Sequence, residues 1–550
     1  MKKIALALGS GILMGLTTAP VEAWFLAWFA LVPLWLIILQ PRQEKNVEAI
    51  AQAAYKSKFI KLWQFASKDR AYLLAFLWGV GYHGIALAWI TGIHPLTWMG
   101  VPWFASLAIA IFCWIAIVFW GASLVFIWSI GFKYLVKQIE KNSLINSNGQ
   151  FIWIALIKVL LGVTFWCILE RLWSMTPLWW SSLSYTQSPH NLLILQLSQI
   201  SGATTVTAAI VTVNGLIAAV IGQLKQHFPQ QPKQLVTFLS LPLIFLIGLH
   251  FIGLLIYIQP VVQIGKTPIK VGIIQGNVPN QIKLYSVGWR KALEGYTTGY
   301  NLLANENVDI ILTPETALPF YWEDLVNNFN SFYSAIIARG VPVWLGAYGK
   351  QADNFTNSLF TIAGDGKIFS RYNKAKLVPL GEYIPFERIL GNIIHRISPL
   401  DNRLAAGKPN QIFETPFGRA IAGICYESAF SEHFRYQAAA GGEFILTVSN
   451  NDYYSKAMPA QHNAQDVIRA IESDRWLARA TNTGYSAIID PRGRTLWKSE
   501  LDLYQLHTDT IYKQNSKTLY VRLGNWLVIF LSILTSIVIL IYRAKLFLKS

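Results

Sequence analysis

Charge is scarce in this sequence, and cysteine is scarcer. Only 14% of the 550 residues are charged, while 53% are hydrophobic and 22 are tryptophan. Soluble globular chains carry roughly 25% charged residues, so the composition excludes an ordinary water-soluble protein and points to a membrane. Of the three cysteines, Cys113 and Cys167 lie inside long apolar runs with no neighbour at metal-ligand spacing. That pattern argues against zinc and for inert packing. Cys425 alone stands in a water-soluble context. Internal repeats, low-complexity tracts, a phosphate-binding glycine loop and histidine pairs at ligand spacing are also missing, so neither metal nor cofactor is expected. The formal net charge of +17 lacks the interleaved basic surface that nucleic acid requires. It fits topology signals and contacts to anionic membrane lipid better.

Apolar runs near the 20 residues needed to cross a bilayer recur at about 4–18, 22–40, 71–92, 103–130, 151–170, 203–223, 235–258 and 524–542. They predict a multi-pass α-helical membrane domain of about eight spans. The first run resembles a signal peptide, but a second follows at once, and the pair is expected to stay uncleaved. Lysine and arginine cluster before the first span, in the connections after the second, fourth and sixth, and in the tail, whereas TTAPVE and GIHPLTWMGVP hold none. All the basic connections fall on one side, which predicts both termini in the cytoplasm and the long break at about 260–520 outside it. Lys158, within the fifth run, either pairs with an intramembrane charge or snorkels to the interface. The expected domains are therefore 1–260, 261–515 and 520–550.

In the central segment the pattern shifts to short Ile- and Val-rich runs. IKVGIIQGNV, VDIILTPETALP, VPVWLGAYG, RAIAGICYE and EFILTVSNND predict buried strands. Helical stretches at 286–307, 322–340 and 457–482 lie between them, and Gly-Asp-Gly and Pro-Arg-Gly turn two hairpins. This alternation predicts one α/β sandwich domain. Three strand ends carry ionisable side chains on short loops: Glu315, Lys374 and Cys425. A thiol is mostly protonated at neutral pH, a carboxylate within reach takes its proton, and an ammonium stabilises an oxyanion. A helix starting just after Cys425 would add its amide field. Structural readings stand beside this one: a core cysteine, a turn glutamate and a solvated lysine.

At these residues the sequence resembles the nitrilase superfamily, and in particular its membrane-bound branch, the apolipoprotein N-acyltransferases. The resemblance rests on QGNVPNQ (275–281), PETALP (314–319), YNKAKLVPLGEYIP (372–385), ICYES (424–428), SNNDYY (449–454) and RAIESDRWLARATNTGYSAIIDPRGR (469–494). FLWGVGYHGIALAWI and ALVPLWL extend it into the membrane part. It implies an extracytoplasmic α-β-β-α nitrilase-like sandwich in a bacterial cytoplasmic membrane, with Glu315 as general base, Lys374 as oxyanion stabiliser and Cys425 as nucleophile. Glu382, Tyr426 and Glu427 match further active-site positions. The implied partners are a phospholipid acyl donor and a diacylglyceryl-modified apolipoprotein acceptor, with no cofactor. The sequence departs from the family pattern at Tyr285 and Trp289, and in MTPLWWSSLSY after the fifth span, both expected to meet lipid or acceptor. Tyr321, Trp322, Tyr453 and Tyr454 are expected in aromatic loops that dip toward lipid or anchor the domain. A membrane-tethered amidase, in which water resolves the thioester, and an inactive scaffold are the alternative readings.

Overall fold

A computed structural model describes residues 1–40, 69–141, 150–227, 232–261, 268–327, 331–351, 354–379, 381–383, 404–452 and 454–547. The helices that fall on the predicted apolar runs are α1 (Lys2–Gly15), α2 (Val32–Leu39), α3 (Arg70–Ala86), α4 (Trp103–Lys141), α5 (Gln150–Trp173), α6 (Ala203–His227), α7 (Pro232–Tyr257) and, after the sandwich, α13 (Trp526–Phe547). Four described helices are long and apolar enough to cross a membrane: Trp103–Glu140, Ile152–Trp173, Ala203–Gly222 and Phe238–Tyr257. α7 exposes Leu243, Ile244, Ile247 and Phe251, an apolar face that suits lipid and not water. α6 is instead largely enclosed. Where α1 crosses α3, a Cβ on Gly11 would lie 2.1 Å from the Trp78 carbonyl oxygen, so only glycine permits this backbone approach.

The second run is not one helix. A 3-10 turn at Trp24–Trp28 precedes α2, and Asn214 of α6 bridges the break, accepting from the Leu31 amide at 3.0 Å and donating to the Ala27 carbonyl at 2.8 Å. Backbone groups freed in an apolar region need such partners. Lys158 pairs with Glu140 at 2.6 Å.

The soluble segment forms two sheets. The first contains β1 (Pro268–Gln275), β2 (Ile310–Leu312), β3 (Leu318–Tyr321), β4 (Val343–Gln351), β5 (Asn354–Ile362), β6 (Ile368–Asn373) and β13 (Gln505–Tyr512), in the order β13-β1-β2-β4-β5-β6 with β3 on β4. The second contains β7 (Phe413–Thr415), β8 (Gly418–Ile424), β9 (Phe444–Ser449), β10 (Leu477–Thr481), β11 (Ala487–Ile489) and β12 (Thr495–Lys498), in the order β12-β11-β10-β9-β8-β7. Both centres are parallel, β1-β2-β4 and β8-β9-β10, with antiparallel strands at the flanks.

Strand period 2 sorts the side chains. Val271, Ile273, Ala420, Ala422, Ile424, Phe444, Leu446 and Val448 meet between the sheets. Ile274 packs outward with Tyr296 and Tyr300 of α8 (Ser286–Ala304) and Phe332 of α10 (Ser331–Arg339); α9 (Trp322–Asn327) precedes α10. On the far side, Ile421 and Ile445 meet Phe434 of α11 (Ser431–Ala439) and Val467 of α12 (Ala457–Ser473). The layers are therefore α-β-β-α.

The stretch 457–482, predicted as one helix, is helical only to Ser473. Asp474 takes a left-handed φ of +53°, and the chain re-enters the sheet as β10 between β9 and β11. Central burial overrides the helical propensity of its alanine and leucine. α12 is buried from Gln461 to Ser473 although it carries Gln461, His462, Asn463, Gln465, Asp466, Arg469 and Glu472. It lies between the second sheet and the membrane helices: Gln461 donates to the carbonyls of Ala19 and Ala86, at 3.0 and 2.8 Å, and accepts from Trp180 Nε1 at 2.8 Å.

Candidate active site

Three chain turns converge at one end of the sandwich. After β2 the chain bends through Pro314, Glu315 and Thr316, with Thr316 at φ +45°, a conformation that costs a β-branched residue on the order of 1–3 kcal/mol. Local bonds hold the bend. The Thr313 amide donates to the Trp344 carbonyl at 3.0 Å, and the Gly346 amide donates to Thr313 Oγ1 at 3.1 Å. Lys374 follows β6 directly, its amide bonded to the Asn357 carbonyl at 2.8 Å. Cys425 follows β8 directly, with φ +53°. A 3-10 turn, Cys425–Ala429, comes next, and the α-helix expected just after the cysteine begins only at Ser431.

The structure brings Glu315, Lys374, Glu382 and Cys425 together. Lys374 Nζ lies 2.9 Å from Glu315 Oε1 and 2.7 Å from Glu382 Oε1. Glu315 also accepts from Asn357 Nδ2 at 2.6 Å and from the Asn450 amide at 2.8 Å. Burial drives the Glu315 carboxyl up, but Lys374 and those donors outweigh it and hold the group below the usual carboxylate range. Burial opposes the charge on Lys374 as well, and the two carboxylates reverse that, keeping it well above an ordinary lysine. Burial raises Glu382. The Cys425 thiol is raised by burial first and then by the negative charge of Glu315. The resting site is thus an ionised Glu315 beside a protonated thiol, with an ammonium between carboxylates.

Glu427 is fully buried and ties two of the turns together. One oxygen accepts from the amides of Ala375 and Lys376 at 2.6 and 3.0 Å, the other from the Ile424 amide at 2.8 Å and the Tyr372 hydroxyl at 2.9 Å. The strand end beside Cys425 and the loop of Lys374 therefore share one carboxylate. Tyr426 points away from this carboxylate. Its hydroxyl donates to the carbonyls of Pro177 and Trp179 at 2.5 and 3.0 Å, and its ring stacks on Trp180. The 171–202 connection, expected to meet lipid or acceptor, is largely packed between domains. Tyr185 and Ser188 bond the carbonyls of Ala429 and Ala464. The connection is open near its start, where Met175 is 65% exposed, and at His190.

The predicted aromatic contacts separate. Tyr285 and Trp289 are exposed; the Tyr285 hydroxyl reaches the Trp98 carbonyl at 3.4 Å, and Trp289 meets Phe320 edge-on. Tyr321 is half-buried against Phe355, under Lys350. Trp322 is a correction: at 1% exposure it packs in the core outside the first sheet, against Tyr333, because its side chain follows the inward face of β3 and α9. Tyr454 meets Trp89 edge-on in the membrane domain. Tyr453 lies outside the described residues.

Sequence reasoning missed several neighbours. His462 Nε2 donates to the Cys425 carbonyl at 2.8 Å, and Nδ1 accepts from Asn451 at 3.2 Å. Burial first, and then Arg479, lower its pKa to about 3, so the imidazole is neutral. Lys283 donates to Thr316 Oγ1 at 3.0 Å, and burial lowers it to about 8. Their one local signal was polarity: His462 sits inside an otherwise helical amphipathic run, and Lys283 sits just past QGNVPNQ. Neither reveals its partner without the fold. Among the described residues no group of three His, Cys, Asp or Glu side chains is placed to hold a metal ion.

Comparison with known proteins places this geometry in a lineage. The carbon-nitrogen hydrolase family model matches residues 270–511, and the model of the apolipoprotein N-acyltransferase N-terminal domain matches residues 10–216. An apolipoprotein N-acyltransferase from Nostoc sp. is 51% identical over 93% of this chain and 94% of its own length. Those of Synechocystis sp. and Thermosynechococcus vestitus are 46% and 39% identical, over 95% and 93% of this chain and 98% and 90% of theirs.

Proposed function

Since this chain belongs to the apolipoprotein N-acyltransferase family, we propose that it moves a fatty-acyl group from a phospholipid to the α-amino group of an S-diacylglyceryl cysteine at a lipoprotein N-terminus, through a thioester on Cys425. The observation that carries the roles is the single buried cluster of Cys425, Glu315 and Lys374. With the thiol raised and Glu315 ionised, no standing thiolate is stored. Proton transfer to Glu315 accompanies attack of sulfur on the ester carbonyl.

Lys374 carries three N–H donors. Two are taken by Glu315 and Glu382 among the described residues, and the third serves the oxyanion, a contribution of about 3 kcal/mol for one well-placed donor. Collapse breaks the ester C–O bond, Glu315 returns its proton to the leaving oxygen, and lysophospholipid departs. The neutral acceptor amine then attacks the thioester, Glu315 takes a proton from the nitrogen, and the C–S bond breaks. The sulfur is reprotonated and the amide is released. Glu382 keeps Lys374 charged and aimed, and Glu427 holds the two turns in register.

The chain crosses a bacterial inner membrane about eight times, with both termini cytoplasmic and the sandwich, within 261–515, outside; residues 1–260 and 520–550 form the membrane portions. The one-sided basic connections support this orientation, and the extents of the two family models support the division. Tyr285 and Trp289, exposed beside the membrane-domain residue Trp98, are the aromatic residues best placed to meet lipid or acceptor.

The test is mass spectrometry after incubation with defined phospholipid and no acceptor. One acyl group is expected on the Cys425 peptide, released by neutral hydroxylamine, absent from Cys425→Ser, and discharged by a diacylglyceryl-cysteine peptide. A folded protein whose cysteine stays free under these conditions refutes the assignment.

A further inference from the structure

A cavity of about 310 Å³ opens beside the catalytic cluster. Its wall includes the residue directly after each of three active-site side chains: Ala375 after Lys374, Tyr383 after Glu382 and Tyr426 after Cys425. Its wall also includes Met175–Pro177, the stretch that follows the membrane-length helix α5. The cavity is thus bounded by the loops that carry the reacting side chains and by the stretch that follows a membrane-length helix.

Among the described lining residues, one is charged. Lys376 is exposed, and its amide is fixed by Glu427, the carboxylate that also holds the strand end at Cys425. Its ammonium lies 5.2 Å from the centroid of the Phe430 ring, which also lines the cavity. Cation–π contact orients such a group without neutralising it. No aspartate or glutamate is among the lining residues, and among the described residues Lys376 makes no ion pair. The Phe430 face is already occupied by Lys376, and the Tyr426 ring is stacked on Trp180. Among the described lining residues, a head group with its own ammonium therefore finds one lysine repelling it, no carboxylate, and two of three aromatic faces engaged.

We propose that this cavity seats the phosphate-bearing head of the donor lipid, and that Lys376 makes it select an anionic head, a phosphodiester with an uncharged far substituent, over a zwitterionic one. The inference rests on the acyl-transfer reading above and deepens it: the ester enters beside Cys425 while the phosphate, one glycerol unit away, reaches Lys376.

The experiment measures the rate of Cys425 thioester formation in mixed micelles. The micelles hold phosphatidylglycerol or phosphatidylethanolamine with identical acyl chains, and the proteins are the full-length parent, Lys376→Met and Lys376→Arg. The parent is expected to favour phosphatidylglycerol on the order of tenfold, through the concentration dependence on donor more than the saturated rate, as a charge-assisted contact to phosphate implies. Lys376→Met brings the ratio close to one, and Lys376→Arg restores it. A parent with no preference, or one for phosphatidylethanolamine, overturns the proposal, as does a preference that survives in Lys376→Met. Inorganic phosphate at matched ionic strength is expected to leave the ratio unchanged; competition by it marks a free-phosphate site and overturns the lipid assignment. Absence of thioester from both donors in the folded parent refutes the acyl-transfer reading itself, and this proposal with it.

Discussion

Gly346→Ala perturbs the candidate base without touching a reactive side chain. Gly346 lies in β4 directly beneath the bend that carries Glu315. A Cβ there would stand 1.9 Å from the Pro314 carbonyl oxygen and 2.9 Å from both the Pro314 carbonyl carbon and the Thr316 amide nitrogen. Ordinary contact begins at 3.4 Å, so the bend must retreat by about 1.5 Å. Its obstacle is backbone, which cannot swing aside as a flexible side chain does. Glu315 sits between those two residues and keeps its place through bonds of 2.6 to 2.9 Å to Asn357, Asn450 and Lys374. A shift of that size lengthens or breaks them. Misplacement by about 1 Å costs a reaction on the order of 100-fold, and overpacking a core costs about 1–3 kcal/mol of stability. Thioester formation is therefore expected to fall at least about 100-fold while the protein remains folded. Gly295→Ala is the control, because its Cβ meets only Tyr504 at 3.5 Å inside α8; its rate should match the parent. Rapid-quench mass spectrometry of the Cys425 peptide measures both. A folded Gly346→Ala protein that acylates within about threefold of the parent refutes the dependence on Glu315 placement.

Lys374→Met removes the cation between two buried carboxylates. It should abolish the thioester and lower stability by about 3–5 kcal/mol, read by thermal unfolding in detergent; an unchanged melting temperature refutes the pairing. Glu427→Gln puts an amide NH₂ against donors that need an acceptor. Its expected cost is about 1–3 kcal/mol with slower acylation, and acylation at the parental rate would show that this carboxylate does not hold the turns. His462 has a depressed pKa, about 3 against 6.5. The unfolded chain therefore binds the extra proton between those values. The stability His462 contributes is fully present above pH 6.5 and is lost as pH falls toward 3, at up to about 1.4 kcal/mol per pH unit. Denaturant midpoints across that range should fall less steeply in His462→Phe; parallel slopes would show that the imidazole is not held neutral.

Much of the frame was legible from one-dimensional patterns. Apolar runs located the helices from α1 to α7 and α13, of which four described ones are long and apolar enough to cross a membrane. Short Ile- and Val-rich runs located β1, β2, β4, β8 and β9, and turn chemistry located the β5–β6 and β11–β12 hairpins. β10 was misread because LARAT is short and favours helix locally, and only its position between β9 and β11 makes it a strand. β13 was not anticipated, because a half-buried flanking strand such as QLHTDTIY carries no strong apolar signal. Trp322 was misplaced for a related reason: an aromatic loop looks the same whether it faces lipid or core.

Composition, run length and residue type are local properties, and they determined that this is a membrane protein with one α/β domain and one cysteine outside the long apolar runs. Family-specific strings such as YNKAKLVPLGEYIP and ICYES carried the chemistry beyond that. Tertiary structure alone decided which groups meet. Glu315 and Lys374 are 59 residues apart in sequence yet 2.9 Å apart in space. His462 reaches the Cys425 carbonyl across 37 residues, and Tyr426 reaches Pro177 across 249. The physical reason is that ionisation and hydrogen bonding depend on distance and burial, which no spacing along a chain supplies. A lysine in a polar loop becomes a buried ammonium between two carboxylates only when two sheets close over it and a membrane domain packs against one side.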